Sequence, residues 1–148
     1  MLSDAELAAL YRDLETDRVE RKRNANDSKV IRQAICALAN DLADHRLPGV
    51  IFIGLENDGG CADLPIDDRL LLTLGGWRGD GQIQPLPVMS VTPKRIDGCD
   101  VAVIEVQPSD NPPVRFDGRV WIRVGPRRAV ASAEEERSSP QGKTNIAR

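Results

Sequence analysis

The spacing of apolar positions divides the chain into a helix-rich first half and a strand-rich second half. Leu7, Leu10, Tyr11 and Leu14 recur at helical spacing behind Ser3-Asp4, a pair suited to capping a first helix. Around Val19 the period shortens to two, which predicts a short strand. Ser28 reads as the N-cap of a second helix, whose stripe of Ile31, Ile35, Leu38 and Ala39 ends near Asp41 or Leu42. Pro48-Gly49 breaks the chain. The run VIFIGL at 50–55 then has the unbroken apolar character of a strand covered on both faces, and the turn ENDGG closes it. A third helix, from Ile66 to Leu74, is predicted to stop at Gly75-Gly76. Beyond it VMSV at 88–91, VAVIEV at 101–106 and RVWIRV at 119–124 predict strands, with turn signals at Asp97-Gly98, Pro112-Pro113 and Asp117-Gly118. The polar stretch from Ser138 is expected to be a disordered tail, leaving residues 1–137 as the domain. This order predicts one α+β or mixed α/β domain, a mixed β-sheet packed with helices.

Composition narrows the picture. With 148 residues, 41% hydrophobic but only 3% aromatic, the interior must be built mainly from Leu, Ile and Val. A net charge of −3 excludes a globally basic binder while leaving room for a local basic stripe. Cys36, Cys61 and Cys99 form an odd set without a CxxC pair, and the chain has one histidine, His45, so zinc-ligand spacing is lacking. Reduced, unpaired thiols in a cytoplasmic protein are the expectation, with Cys36 in the core. No apolar run reaches the ~20 residues of a membrane span. The N-terminus MLSDAELAALYRDLE carries acids where an export signal carries lysines. Near the C-terminus QGKT lacks the glycine of a phosphate loop, since Arg137 stands at that position.

Two stretches carry candidate chemistry. In ETDRVERK, residues 15–22, alternation along a strand puts Arg18, Glu20 and Lys22 on one face, with Glu15 just before it. The buried strand VIFIGL delivers Glu56 and Asp58 beyond its C-terminal end, where open α/β sheets place their sites. Carboxylates from neighbouring strand ends repel unless a cation sits between them, and Mg²⁺ or Mn²⁺ prefers such oxygen ligands and bridges to phosphates. By spacing alone a solvated surface, with these acids paired to the interleaved arginines, is the favoured reading. On RVWIRV, Val120, Ile122 and Val124 point one way and Arg119, Trp121 and Arg123 the other, with Arg127 and Arg128 extending the positive stripe. Trp121 between two arginines suits base stacking, or equally a small core covered by arginine stems.

Taken together, ETDRVERK, ALAND at 37–41 and GVIFIGLENDGG at 49–60 resemble the signature of the Schlafen-type AlbA-like domain. That signature is a Glu-x4-Glu-x-Lys element, a helix ending Ala-x-Ala-Asn, and a strand of the form IGV followed by acids. VAVIEVQPSDNPPVRFDGRVWIRVGPRRAVASAEEE at 101–136 resembles the family's later strands, its proline loop and its closing helix. The resemblance covers residues 10 to 137 and implies a mixed α/β fold known mainly as a DNA-binding domain. In vertebrate Schlafen proteins the same fold cuts tRNA and rRNA with three carboxylates and a divalent cation. Carried over, the first two acids are Glu15 and Glu20, the lysine is Lys22, and the third acid is Glu56 or Asp58. The family often has Thr-x-Gly-Gly where this chain has the longer loop DLADHRLPG at 41–49.

The reading is a DNA- or RNA-binding module contacting phosphates through Arg18, Lys22, Arg119, Arg123, Arg127 and Arg128, with Trp121 stacking on a base. The alternative is an endoribonuclease holding Mg²⁺ or Mn²⁺ on Glu15, Glu20, Asp58 and Glu56. A third reading is a regulatory module that binds protein or a nucleotide. Because the RNA-cutting relatives pair two such lobes, a homodimer is expected.

Overall fold

The computed structural model describes residues 1–125 and 127–137, so the tail expected from Ser138 lies outside the described residues. Helix α1 (Asp4–Arg12) begins at Ser3, whose hydroxyl accepts from the Glu6 amide while Glu6 accepts from the Ser3 amide. This reciprocal box satisfies two of the amide donors that a helix start leaves open. Strand β1 (Val19–Lys22) leads into α2 (Ser28–Asn40), and β2 (Gly49–Ile53) follows. The N-cap of α2 is Asp27 rather than Ser28, because the Asp27 carboxylate accepts from the Val30 amide at 3.3 Å.

β1 and β2 are parallel, with α2 as the crossover; β5 (Cys99–Val106) pairs antiparallel with β2, and β4 (Met89–Ile96) with β5. The sheet order β1-β2-β5-β4 places β2 and β5 centrally, and both are almost wholly buried. Ile51, Ile53, Ala102, Ile104 and Val106 face α2 and α3 (Asp68–Gly76). Val50, Phe52, Val101 and Val103 face α1, where the Tyr11 ring meets Phe52 edge-on at 5.4 Å. The unbroken apolar run thus marks a strand covered twice. Gly75 and Gly76, read as helix stops, lie inside the last turn of α3. Trp77 just beyond is buried against that core, and the Arg32 guanidinium lies over its ring.

β3 (Ile83–Gln84) pairs with β6 (Arg115–Phe116), and β7 (Trp121–Val124) pairs with β8 (Arg127–Val130). Three of these short strands were not predicted, β3, β6 and β8, whereas β7 lies within the strand expected at 119–124. A short α4 (Ala133–Arg137) closes the described chain. Among the described residues no helix is long and apolar enough to cross a membrane.

The expectation of unpaired thiols is corrected for two cysteines: Cys61 and Cys99 form a disulfide, while Cys36 is free and buried. The pairing arises because β2 and β5 are neighbours. The turn after β2 folds back through a Leu55–Cys61 bridge and so arrives beside the first residue of β5.

At Gly49 the start of β2 passes directly beneath α2, and an added Cβ would stand 2.6 Å from Leu38 Cδ2 and 2.9 Å from Leu38 Cβ. Leu38 is itself wedged against the core, so a methyl group there forces strain. Gly49→Ala is expected to lower stability by about 1–3 kcal/mol, read as a lower urea midpoint at unchanged slope.

Candidate nucleic-acid interface

β1 is an edge strand. Its Arg18 and Lys22 carbonyls accept from Val50 and Gly54 of the β2 segment, so the alternate carbonyl, that of Val19, points away from the sheet. The β7–β8 hairpin occupies that open side. Arg123 Nη1 donates to the Val19 carbonyl at 3.0 Å and lies 3.4 Å from Glu20 Oε1, while Arg128 Nη1 reaches the same oxygen at 3.1 Å. Arg123 and Arg128 are cross-strand partners, so both guanidiniums leave one face of the hairpin. The other face carries Val120, Ile122, Ala129 and Ala131 onto Leu42. The expected alternation on RVWIRV therefore holds for Val120 and Ile122, whereas Val124 is exposed.

Lys22, two residues along from Glu20, joins this group. Burial pushes its ammonium below the usual lysine range; Glu20 opposes that shift, and Arg128 and Arg123 add to it. Two guanidiniums therefore contact one carboxylate, and the Lys22 ammonium stands near it with Asp27 as a second acid acting on that lysine. The Arg123 side chain is only 9% exposed and that of Glu20 12%, so much of the group is dehydrated. The Nε atoms of Arg123 and Arg128 are buried and have no hydrogen-bond partner among the described residues.

Asn40, the last residue of α2, sets the hairpin in place. Its Nδ2 donates to the carbonyls of Val114 and Trp121 at 2.9 and 2.7 Å, and its Oδ1 accepts from the Val114 amide at 2.6 Å. The Asn of ALAND is thus a buried clamp, a role that its motif signalled but its chemistry in the sequence did not explain. Arg21, on the opposite face of β1, donates to the carbonyls of Leu10, Tyr11 and Asp13, capping the end of α1. Burial pushes its pKa down.

The remaining candidates distribute unevenly. Arg18 clasps the Pro48 carbonyl with Nε and Nη2, at 3.0 and 2.7 Å, and so holds the 41–49 loop. Arg119 and Arg127 are exposed and make no side-chain hydrogen bond or ion pair among the described residues. Trp121 is partly buried, with Arg119 beside it in a shallow cleft.

The acids are not gathered as a metal set. Glu20 is taken by the two arginines, Glu56 pairs with Arg23 at 3.4 Å, and Asp58 accepts from the Gly60 amide at 2.8 Å. Glu15 is exposed, although its neighbour Leu14 lies against the turn that carries Asp58, with Cδ2 3.3 Å from a Cβ built at Gly59. Among the described residues no three His, Cys, Asp or Glu side chains group to hold one ion. The donors present do not fit Mg²⁺ or Mn²⁺.

A family model described as "Schlafen, AlbA_2" matches residues 15–132. The chain belongs to this family. The Schlafen AlbA_2 domain described here shares its fold with two solved structures. One is the DIP2311 protein from Corynebacterium diphtheriae, at TM-score 0.60 and 19% identity over 91% of this chain and 28% of that one. The other is the N-terminal domain of a protein from Nitrosomonas europaea related to the ATP-dependent DNA helicase RecG. It aligns at TM-score 0.54 and 20% identity over 74% of this chain and 76% of that one. The domain thus spans little more than a quarter of the Corynebacterium protein. A comparison with curated proteins found no match.

Proposed function

We propose that this Schlafen AlbA_2 domain is a nucleic-acid-binding module that holds the phosphate backbone along the β7–β8 hairpin and the adjoining edge of β1. The observation that supports the reading is the excess of positive charge around Glu20, where Arg123 and Arg128 meet one carboxylate and Lys22 stands on the same strand face, with Asp27 the one further acid acting on it. A partly dehydrated group with net positive charge is costly by itself and is relieved by an anion, and a polyphosphate chain supplies many. Exposed Arg127 extends the strip beyond the hairpin turn. The family assignment and the likeness to a domain of a RecG-related protein support the same class of ligand.

Because the contacts are to phosphate, affinity is expected to fall steeply with salt and to vary little with sequence. Fluorescence anisotropy with a labelled oligonucleotide over a salt series tests this. Arg127→Ala and Arg128→Ala should each lower the log–log slope by about one and weaken all sequences alike. Affinity that is flat in salt, or slopes unchanged in both variants, would remove the phosphate strip.

A further inference from the structure

The same face of the hairpin continues past the arginines to Trp121. Successive same-face residues on a strand are about 6.6–6.8 Å apart, so Trp121 is the immediate neighbour of Arg123. Beside it opens a cleft of about 320 Å³ lined by Lys29, Gln33, Phe116, Asp117, Arg119 and Trp121. Phe116 is buried and belongs to the main core, so it forms the floor. Lys29 and Arg119 are exposed, while Gln33 and Trp121 are half-buried. Among the described residues the side chains of Lys29, Gln33, Asp117 and Arg119 make no hydrogen bond or ion pair. Most other arginines of the domain, including Arg12, Arg18, Arg21, Arg32 and Arg115, are engaged.

We infer that this cleft receives one unpaired nucleobase, so that the ligand of the basic strip is single-stranded nucleic acid. The inference rests on the phosphate-binding reading above and specifies its substrate class. The indole wall suits the apolar face of a base, which stacks on aromatic side chains with little regard to sequence, while Phe116, 3% exposed and with the Arg32 guanidinium over its ring, closes the bottom of the cleft. The cleft is at the lower end of the size range of small-ligand sites, enough for a base and part of its sugar. The Gln33 amide offers both donors and an acceptor to a base edge, and Asp117 offers an acceptor. Asp117 also repels phosphate, so the backbone keeps to the rim, where Lys29 and Arg119 stand. A base paired within a duplex has no face free to enter, which makes the cleft selective for single strands.

The test is the ratio of single-strand to duplex affinity, measured at one salt concentration with a 12-nucleotide oligothymidylate and a duplex of equal length. The wild-type domain is expected to favour the single strand and to show quenched tryptophan emission on binding it, since Trp77 is buried and Trp121 faces the cleft. Trp121→Ala should reduce single-strand affinity between about fivefold and a hundredfold and bring the ratio towards one. Because Trp121 also packs on the core, Gln33→Ala serves as a second variant on a half-exposed helix position, with a severalfold loss of the single strand expected. Unchanged ratios in both variants, with the salt slope and the Arg128→Ala effect intact, would overturn the cleft while leaving the phosphate strip standing. Failure of the wild-type domain to bind either form would overturn both.

Discussion

Asn40→Ala is expected to lower the thermal midpoint on the order of 10 °C, the equivalent of roughly 2–4 kcal/mol for a chain of this size. The side chain is 3% exposed and bonds to Val114 through both its amide and its carbonyl, and to the Trp121 carbonyl. Truncation leaves the buried Val114 amide and the part-buried Trp121 carbonyl without that partner, and each carries a desolvation cost. The Val114 carbonyl is spared, because Cys36 Sγ also donates to it at 3.1 Å. Burial holds that thiol near 11, so it stays a neutral donor at ordinary pH. Asn40→Asp is the sharper probe. It keeps the shape and the bond from the Val114 amide, but it sets an acceptor-only carboxylate against two carbonyls, so it should cost at least as much. Midpoints within a degree of the parent in both variants would show that β7 does not depend on this clamp.

Glu20→Gln is expected to act in opposite directions on stability and on binding. Without ligand it removes the one negative charge facing Arg123 and Arg128, and the near-buried guanidiniums are left uncompensated. Loss of one partner from a buried pair costs about 3–5 kcal/mol. The partial access of Arg128, at 22%, brings the expected figure to roughly 2–4 kcal/mol. With nucleic acid present, phosphate no longer competes with the carboxylate, so affinity rises and the salt slope steepens. Thermal melts with and without oligonucleotide read both effects together, and the stabilisation on adding ligand should be larger in the variant than in the parent. An unaltered melting point combined with weaker binding would be incompatible with the role of counter-ion.

The central strand was legible because Val50 to Ile53 are apolar without alternation, a pattern that only a doubly covered strand sustains. The start of α1 was legible because Ser3-Asp4 precedes Leu7, Leu10 and Tyr11 at helical spacing, and Ser3 is the N-cap. The hairpin partner β8 was not, since Arg127-Arg128-Ala129-Val130 shows no period and its existence depends on the pairing to β7. Arg123 was correctly placed on the face opposite Ile122, yet sequence alternation cannot tell an open face from one lying against another strand's edge. Arg123 is therefore largely enclosed where exposure was expected. Glu20 was singled out for its charge, but its partners come from more than a hundred residues away, beyond the reach of spacing arguments. The same distance hid the Cys61–Cys99 bond, which depends on β2 and β5 lying side by side.

That bond closes a loop with a sequence separation of 38, and the loop encloses α3, β3 and β4. A protease cutting anywhere inside it yields two fragments that still migrate as one species until a reductant is added. Exposed Leu72 and Leu86 both lie in this ring. Apparent resistance to proteolysis under oxidising conditions would therefore overstate how intact the backbone is.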